Sequence, residues 1–173
     1  MIENNSNNLI LIGFMGSGKS SFGKWISENH NKRLIDTDEV IVAEEGRTIN
    51  SIFEENGEEY FRDLETRLLI KIKNEYKNCV IAVGGGMPIR EINQKEMKEI
   101  GKVIYLRTSI EELLCRLEND TTRPLLKEAV DRKTLYQKIE SLMNKRKNIY
   151  ESIADKIIDT DGKTYEEIWR ELF

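Results

Sequence analysis

The chain has 173 residues, enough for one domain with a sizeable core. Charged residues make up 34% and hydrophobics 39%, a balance that suits a globular protein in water. The net charge of −4 gives no support to a nucleic-acid role, which favours a basic face. No apolar run approaches the ~20 residues of a membrane helix.

Taken in chain order, residues 1–8 are polar and lack a basic region, so they do not read as a signal peptide. Leu9–Ile12 is an apolar run that predicts a buried parallel strand. Gly13-Phe14-Met15-Gly16-Ser17-Gly18-Lys19-Ser20 follows, with the spacing of a phosphate-binding loop. Its glycines let backbone N–H groups approach an anion, and the segment Lys19–Asn29 predicts the helix whose positive end faces it. Lys19 is placed to reach β and γ phosphates, and the Ser20 hydroxyl to ligate Mg²⁺.

The only histidine, His30, follows this helix and is expected to be exposed, which argues against a His-based triad or a zinc site. Lys32–Ile35 predicts a second strand, less apolar and therefore at an edge. Asp36-Thr37-Asp38 closes it, on the side of a parallel sheet where ligands bind. Asp36 suits Mg²⁺ and Asp38 suits an acceptor hydroxyl, although either aspartate could instead cap the next helix. A long helix is expected from Gly57 to about Tyr76, with Phe61, Leu64, Leu68 and Ile72 on one stripe. It carries Arg62 and Glu65, three apart on one face, which reads as an exposed ion pair unless the site recruits it.

Cys79–Val83 is the third strand, ending in Gly84-Gly85-Gly86, either a flexible turn or a surface where substrate meets backbone N–H groups. Gln94–Glu99 shows no functional pattern. Lys102–Leu106 is the fourth strand, and Ser109 with Glu112 forms a capping-box signature after it. Cys79 and Cys115 lack metal-ligand or redox spacing and read as buried small hydrophobes in a reducing compartment. Residues 119–127 are irregular and contain Arg123-Pro124-Leu125-Leu126, where an arginine could close over a transferring phosphate. A helix from about Asp131 to Tyr150, a strand at Lys156–Ile158 and a capping box at Thr164 and Glu167 complete the chain. The alternation predicts a parallel sheet covered by helices on both faces.

These motifs, in this order, resemble the shikimate kinase family over almost the whole length. The resemblance rests on the phosphate loop at 13–20, Asp-Thr-Asp at 36–38, Gly57-Glu58 leading to Phe61-Arg62 and Glu65, the triple glycine at 84–86, Arg-Pro-Leu-Leu at 123–126, and Arg146 four before Tyr150. It implies an α/β three-layer sandwich with a five-stranded parallel sheet of order 2-3-1-4-5, in the nucleoside-monophosphate-kinase style. It implies one kinase domain over 1–173, a shikimate-binding region at about 38–65 and a lid at about 119–130. The implied reaction is ATP-dependent phosphorylation of the 3-hydroxyl of shikimate, with Mg²⁺, by a cytoplasmic monomer without nucleic-acid or membrane partners.

Lys19, Asp38 and Arg123 are the implied catalytic residues, with Ser20 and Asp36 at the metal. ATP would be met by Gly13, Gly16, Ser17, Gly18, Lys19, Ser20, Ser21, Arg116, Arg123 and Asp159, with Arg116 packing on adenine. Shikimate would be met by Asp38, Arg62, Gly84, Gly85, Gly86 and Arg146. One departure is Asn148, where the family often has proline. A gluconate or nucleotide kinase shares the loop but has less use for the full set. A GTP-driven switch usually carries Asn-Lys-x-Asp, and Asn144-Lys145-Arg146-Lys147 lacks the final Asp.

Overall fold

The computed structural model describes residues 7–120, 124–126, 129 and 131–173. Five parallel strands form one sheet: β1 (Leu9–Ile12), β2 (Arg33–Asp36), β3 (Cys79–Ala82), β4 (Lys102–Arg107) and β5 (Lys156–Asp159). Their order is β2-β3-β1-β4-β5, as the resemblance implies. β2 is an edge strand as expected, but it starts one residue later and includes Asp36, which pairs with Ala82. Lys32 stays below the strand, where its ammonium donates to Asn7 O at 2.6 Å and Asn78 Oδ1 at 2.9 Å.

Alternate residues along the strands feed two separate cores. Leu9, Leu11, Val80, Ile104, Leu106 and Ile158 meet Phe22 and Ile26 of α1 (Lys19–Asn29) and Ile168 of the C-terminal α7 (Tyr165–Glu171). Ile10, Ile12, Ile81, Val103 and Tyr105 face the other way. They meet α3 (Ile49–Glu75), α4 (Glu91–Ile100), α5 (Ile110–Leu117) and α6 (Arg132–Ile153). Helix on both faces of a parallel sheet gives the three-layer sandwich. Helix α2 (Thr37–Glu45) follows β2 directly and leads into α3.

Four local expectations are corrected. The long helix begins at Ile49, not Gly57, because Thr48 caps an earlier segment by accepting from Ser51 N at 3.2 Å. Gly57, at φ 83 and ψ 170, breaks the helix between the two segments. His30 is half-buried rather than exposed, its ring stacked 3.7 Å from that of Trp169 on α7. Cys79 is buried as expected, whereas Cys115 is exposed. Thr164 and Glu167 close a full capping box, but Ser109 closes only half of one. Ser109 Oγ accepts from Glu112 N, while its own N–H turns to Asp161 and Glu112 pairs with Arg116.

Candidate active site

The phosphate loop joins the buried β1 to α1, so its N–H groups sit at the carboxyl edge of the sheet. Gly13, Gly16 and Gly18 have φ of 150, 82 and 91, backbone that a side chain would strain. Lys19 is buried, and its ammonium donates to Gly13 O and Phe14 O, both at 2.9 Å. The Ser20 hydroxyl makes a short contact with Asp36 Oδ2. Asp36 Oδ1 meanwhile accepts from Asp38 N at 3.1 Å and Glu39 N at 3.3 Å. The two readings of Asp36 therefore coexist: one oxygen caps α2 and the other faces the phosphate loop. Asp38 is left out of the cap.

A cleft of about 490 Å³ opens above this loop, within the usual size of small-ligand sites. Gly16, Ser17, Gly18, Lys19, Ser20 and Ser21 line it, together with Asp36 and Asp38. Gly13 shapes the loop from beneath, where a Cβ would stand 2.7 Å from Leu106 O. Arg116, Thr160, Lys163 and Tyr165 line the cleft as well. Arg116 combines two anchors, Glu112 Oε1 at 2.9 Å and Gly16 O at 3.0 Å, so the helix-surface pair is present and also ties α5 to the loop. The Asp159 carboxylate is gripped by both Nε and Nη2 of Arg107 across the β4–β5 pair. Thr160, next along, is the residue that lines the cleft.

A smaller pocket of about 90 Å³ adjoins this cleft. Met15, Asp38, Gly84 and Gly85 line both. Beyond them the pocket holds Arg62, Glu65, Gly86 and Arg146, with Phe53, Phe61 and Leu125 as apolar wall. Every residue expected at the acceptor is thus gathered here. Arg123 lies outside the described residues.

Arg62 and Glu65 are no exposed pair: both are buried, with Nη1 to Oε2 at 2.8 Å. Gly86 is required by close approach, since a Cβ there would stand 2.4 Å from Arg62 Nη2. Gly84 is hemmed by two carboxylates, 2.8 Å from Glu65 Oε1 and 2.9 Å from Asp38 Oδ1 at the Cβ position. Its N–H already donates to Thr37 Oγ1 at 3.0 Å, which leaves Gly85 and Gly86 as the backbone face for a substrate. Arg146 is buried over the Phe14 ring at 5.7 Å, and its Nη1 has no hydrogen-bond partner among the described residues. A buried, unsatisfied guanidinium donor is costly unless a ligand completes it. One turn on, the Tyr150 hydroxyl donates to Gly85 O and fixes α6 against the triple glycine. Burial pushes the Tyr150 phenol up to about 12, so it stays a donor.

Sequence reasoning missed Asn93, Lys163 and Tyr165, whereas Thr160 belongs to the Asp159-Thr160 pair that the resemblance puts near adenine. Asn93 is fully buried, accepts from Thr66 Oγ1 at 2.8 Å and donates to Met87 O at 2.9 Å, clamping α3 to the turn after the triple glycine. No local motif marks it.

Burial pushes the Glu65 carboxyl up to about 7, against the pull of Arg62. Its folded-state value thus lies above its ordinary 4.5. Between those values the folded state binds more proton than the unfolded chain, so this group's contribution to stability falls as pH rises from 4.5 to about 7. Chemical denaturation of wild type and Glu65→Gln across pH 4.5–8 checks this. Wild type should lose stability relative to the variant as pH rises, and a pH-independent difference would contradict it.

The shikimate kinase family model matches residues 15–173. The shikimate kinase of Persephonella marina is 44% identical over 165 residues, covering 95% of this chain and 96% of that one. That of Dictyoglomus turgidum is 43% identical over 167 residues, with 95% and 94% covered. Among solved structures, a shikimate kinase from Acinetobacter baumannii in complex with shikimate superposes with a TM-score of 0.88 at 33% identity, covering 95% of this chain and 89% of that one. A gluconokinase from Sinorhizobium meliloti, at 18% identity and a TM-score of 0.53, shares the fold alone. The chain belongs to the shikimate kinase family.

Proposed function

We propose that the γ-phosphoryl group of ATP passes from the cleft over the phosphate loop to the 3-hydroxyl of shikimate, held in the pocket of Arg62 and Arg146. Phosphorylation of shikimate by ATP is the activity of the family. The observation that carries the residue assignment is the shared wall: Asp38, Gly84 and Gly85 border both cavities, so a donor in one and an acceptor in the other meet there.

Phosphoryl transfer depends mostly on positioning and charge stabilisation. Lys19 and the loop N–H groups face the β and γ phosphates. Arg116 packs on adenine, beside Thr160 and in the region of Asp159. Arg62 and Arg146 present forked donors to the acceptor carboxylate. Asp38 accepts from the attacking hydroxyl, and a loose transition state asks little more of it. Arg123, in a lid at about 119–130, completes the charge cage in this reading, on the strength of the family resemblance.

Mg²⁺ belongs to the reading. Ser20 Oγ and the Asp36 carboxylate are oxygen donors in contact at the mouth of the loop, and they fit a hard cation. Mg²⁺ commonly keeps several waters and takes substrate phosphates as ligands beside one or two protein oxygens. When bound, such an ion neutralises charge on the phosphates.

The reading also takes residues 1–173 as one domain, a cytoplasmic monomer without nucleic-acid or membrane partners. The net charge of −4 gives no support to a nucleic-acid partner. No described helix is long and apolar enough to cross a membrane.

Asp38→Asn is expected to keep ATP affinity while lowering turnover with shikimate by about 10² or more, the size of a lost proton acceptor. Steady-state kinetics with calorimetric ATP binding checks this. Since Asp36 is the cap, unchanged kinetics would leave Asp38 without a role in transfer.

A further inference from the structure

Arg62 has two carboxylate partners, and they differ in freedom. Glu65 Oε2 takes Nη1 at 2.8 Å and is fully buried. Glu58 Oε1 takes both Nε, at 3.2 Å, and Nη2, at 2.8 Å, with 49% of its side chain exposed. Nε with Nη2 is one of the two edges by which a guanidinium grips a carboxylate, and Nη1 with Nη2 is the other. Glu58 fills the first edge and Glu65 holds half of the second. The fork has no complete edge left for a substrate. It also cannot retreat, because the backbone at Gly86 stands against it.

We propose that Glu58 is an internal occupant of the acceptor's carboxylate site, which holds the Nε–Nη2 edge of Arg62 in the free enzyme and yields it to the incoming ligand. The proposal rests on the reading that Arg62 binds that carboxylate.

Glu65 is enclosed and has nowhere to go, so Glu58 is the partner that leaves. Its exit is short, since half of the side chain already meets water. It follows Gly57, the break in α3, so it opens the second helical segment. There a freed carboxylate remains favourable, because the first turn of a helix attracts negative charge. The local charge favours the exchange as well. Arg62 already pairs with Glu65 and Glu58 in a pocket that Asp38 also lines, and a ligand carboxylate would add one more acidic group unless Glu58 withdrew. The contact therefore acts on specificity. Only an anionic ligand offers Arg62 a replacement for Glu58, so a neutral analogue gains nothing by displacing it.

Calorimetric titration of the full-length chain tests this, with shikimate and with an analogue whose carboxylate is a neutral amide. Glu58→Gln should bind shikimate about threefold to fivefold more tightly than wild type, the size of a half-exposed ion pair. Its affinity for the amide should be unchanged. A variant that binds shikimate no better than wild type, or binds the amide better by the same factor, overturns the proposal. The parent reading fails separately: if Arg62→Ala binds shikimate as tightly as wild type, the acceptor carboxylate is not on Arg62 at all.

Discussion

Lys19→Ala is expected to cut turnover by ~10²–10³, the usual effect of losing one preorganised donor to developing charge. The ammonium is buried and already aimed at the loop, where it bonds the carbonyls of Gly13 and Phe14. It therefore needs little reorganisation to meet a phosphate. The loop should keep its shape in the variant. The bonds of Ser17 N to Phe14 O, 3.1 Å, and of Phe22 N to Gly18 O, 2.8 Å, do not involve the Lys19 side chain. A melting curve close to wild type beside a collapsed kcat is the expected pair of results. Near-normal turnover in a folded variant would remove Lys19 from the chemistry.

Replacing Arg62 or Arg146 by alanine should weaken shikimate binding by roughly tenfold to a hundredfold, with ATP affinity little altered. A hydrogen bond to a charged group is worth about 1.5–3 kcal/mol, which sets that range. The two arginines differ in what their loss does to the fold. Arg146 has a buried Nη1 with no partner among the described residues, so truncation releases a group that was incompletely satisfied. Truncating Arg62 strands Glu65, fully buried and deprived of its partner. With its carboxyl already at about 7, losing Arg62 favours the protonated form, which is left buried without its hydrogen-bond partner, and that is destabilising. The double variant Arg62→Ala with Glu65→Gln removes that orphan and isolates the binding effect. Lysine at either position should recover only part of the affinity, because an ammonium lacks the planar fork.

The stretch from Leu9 to Asn29 was legible because each level agreed: an apolar strand, glycines at the turn, then a helix opening on Lys19 and Ser20. The sheet order followed from the family resemblance and is borne out strand by strand. What escaped depends on contacts distant in sequence. Glu65 looks solvated on its helix, yet it is fully buried, with Gly84 of the triple glycine packed against its carboxylate. His30 looks exposed until α7 brings Trp169 against it. The turn of Asp159 toward Arg107 is set by the β4–β5 register. The first segment of α3 was hidden because Glu54, Glu55 and Asn56 interrupt any stripe, although Ile52 is fully buried within it. Asp36 and Asp38 could not be told apart as caps from sequence, since both types cap helices well; the backbone amides chose Asp36.

In the proposed site Arg62 and Arg146, carried by separate helices, read a carboxylate beside a phosphate loop. The most direct test of this compares kcat/KM for shikimate and for the neutral amide analogue in wild type, Arg62→Ala and Arg146→Ala. Wild type should prefer the carboxylate strongly, and each alanine variant should lose most of that preference. If both variants kept the full wild-type preference, the carboxylate would be read elsewhere and the acceptor site would have to be reassigned.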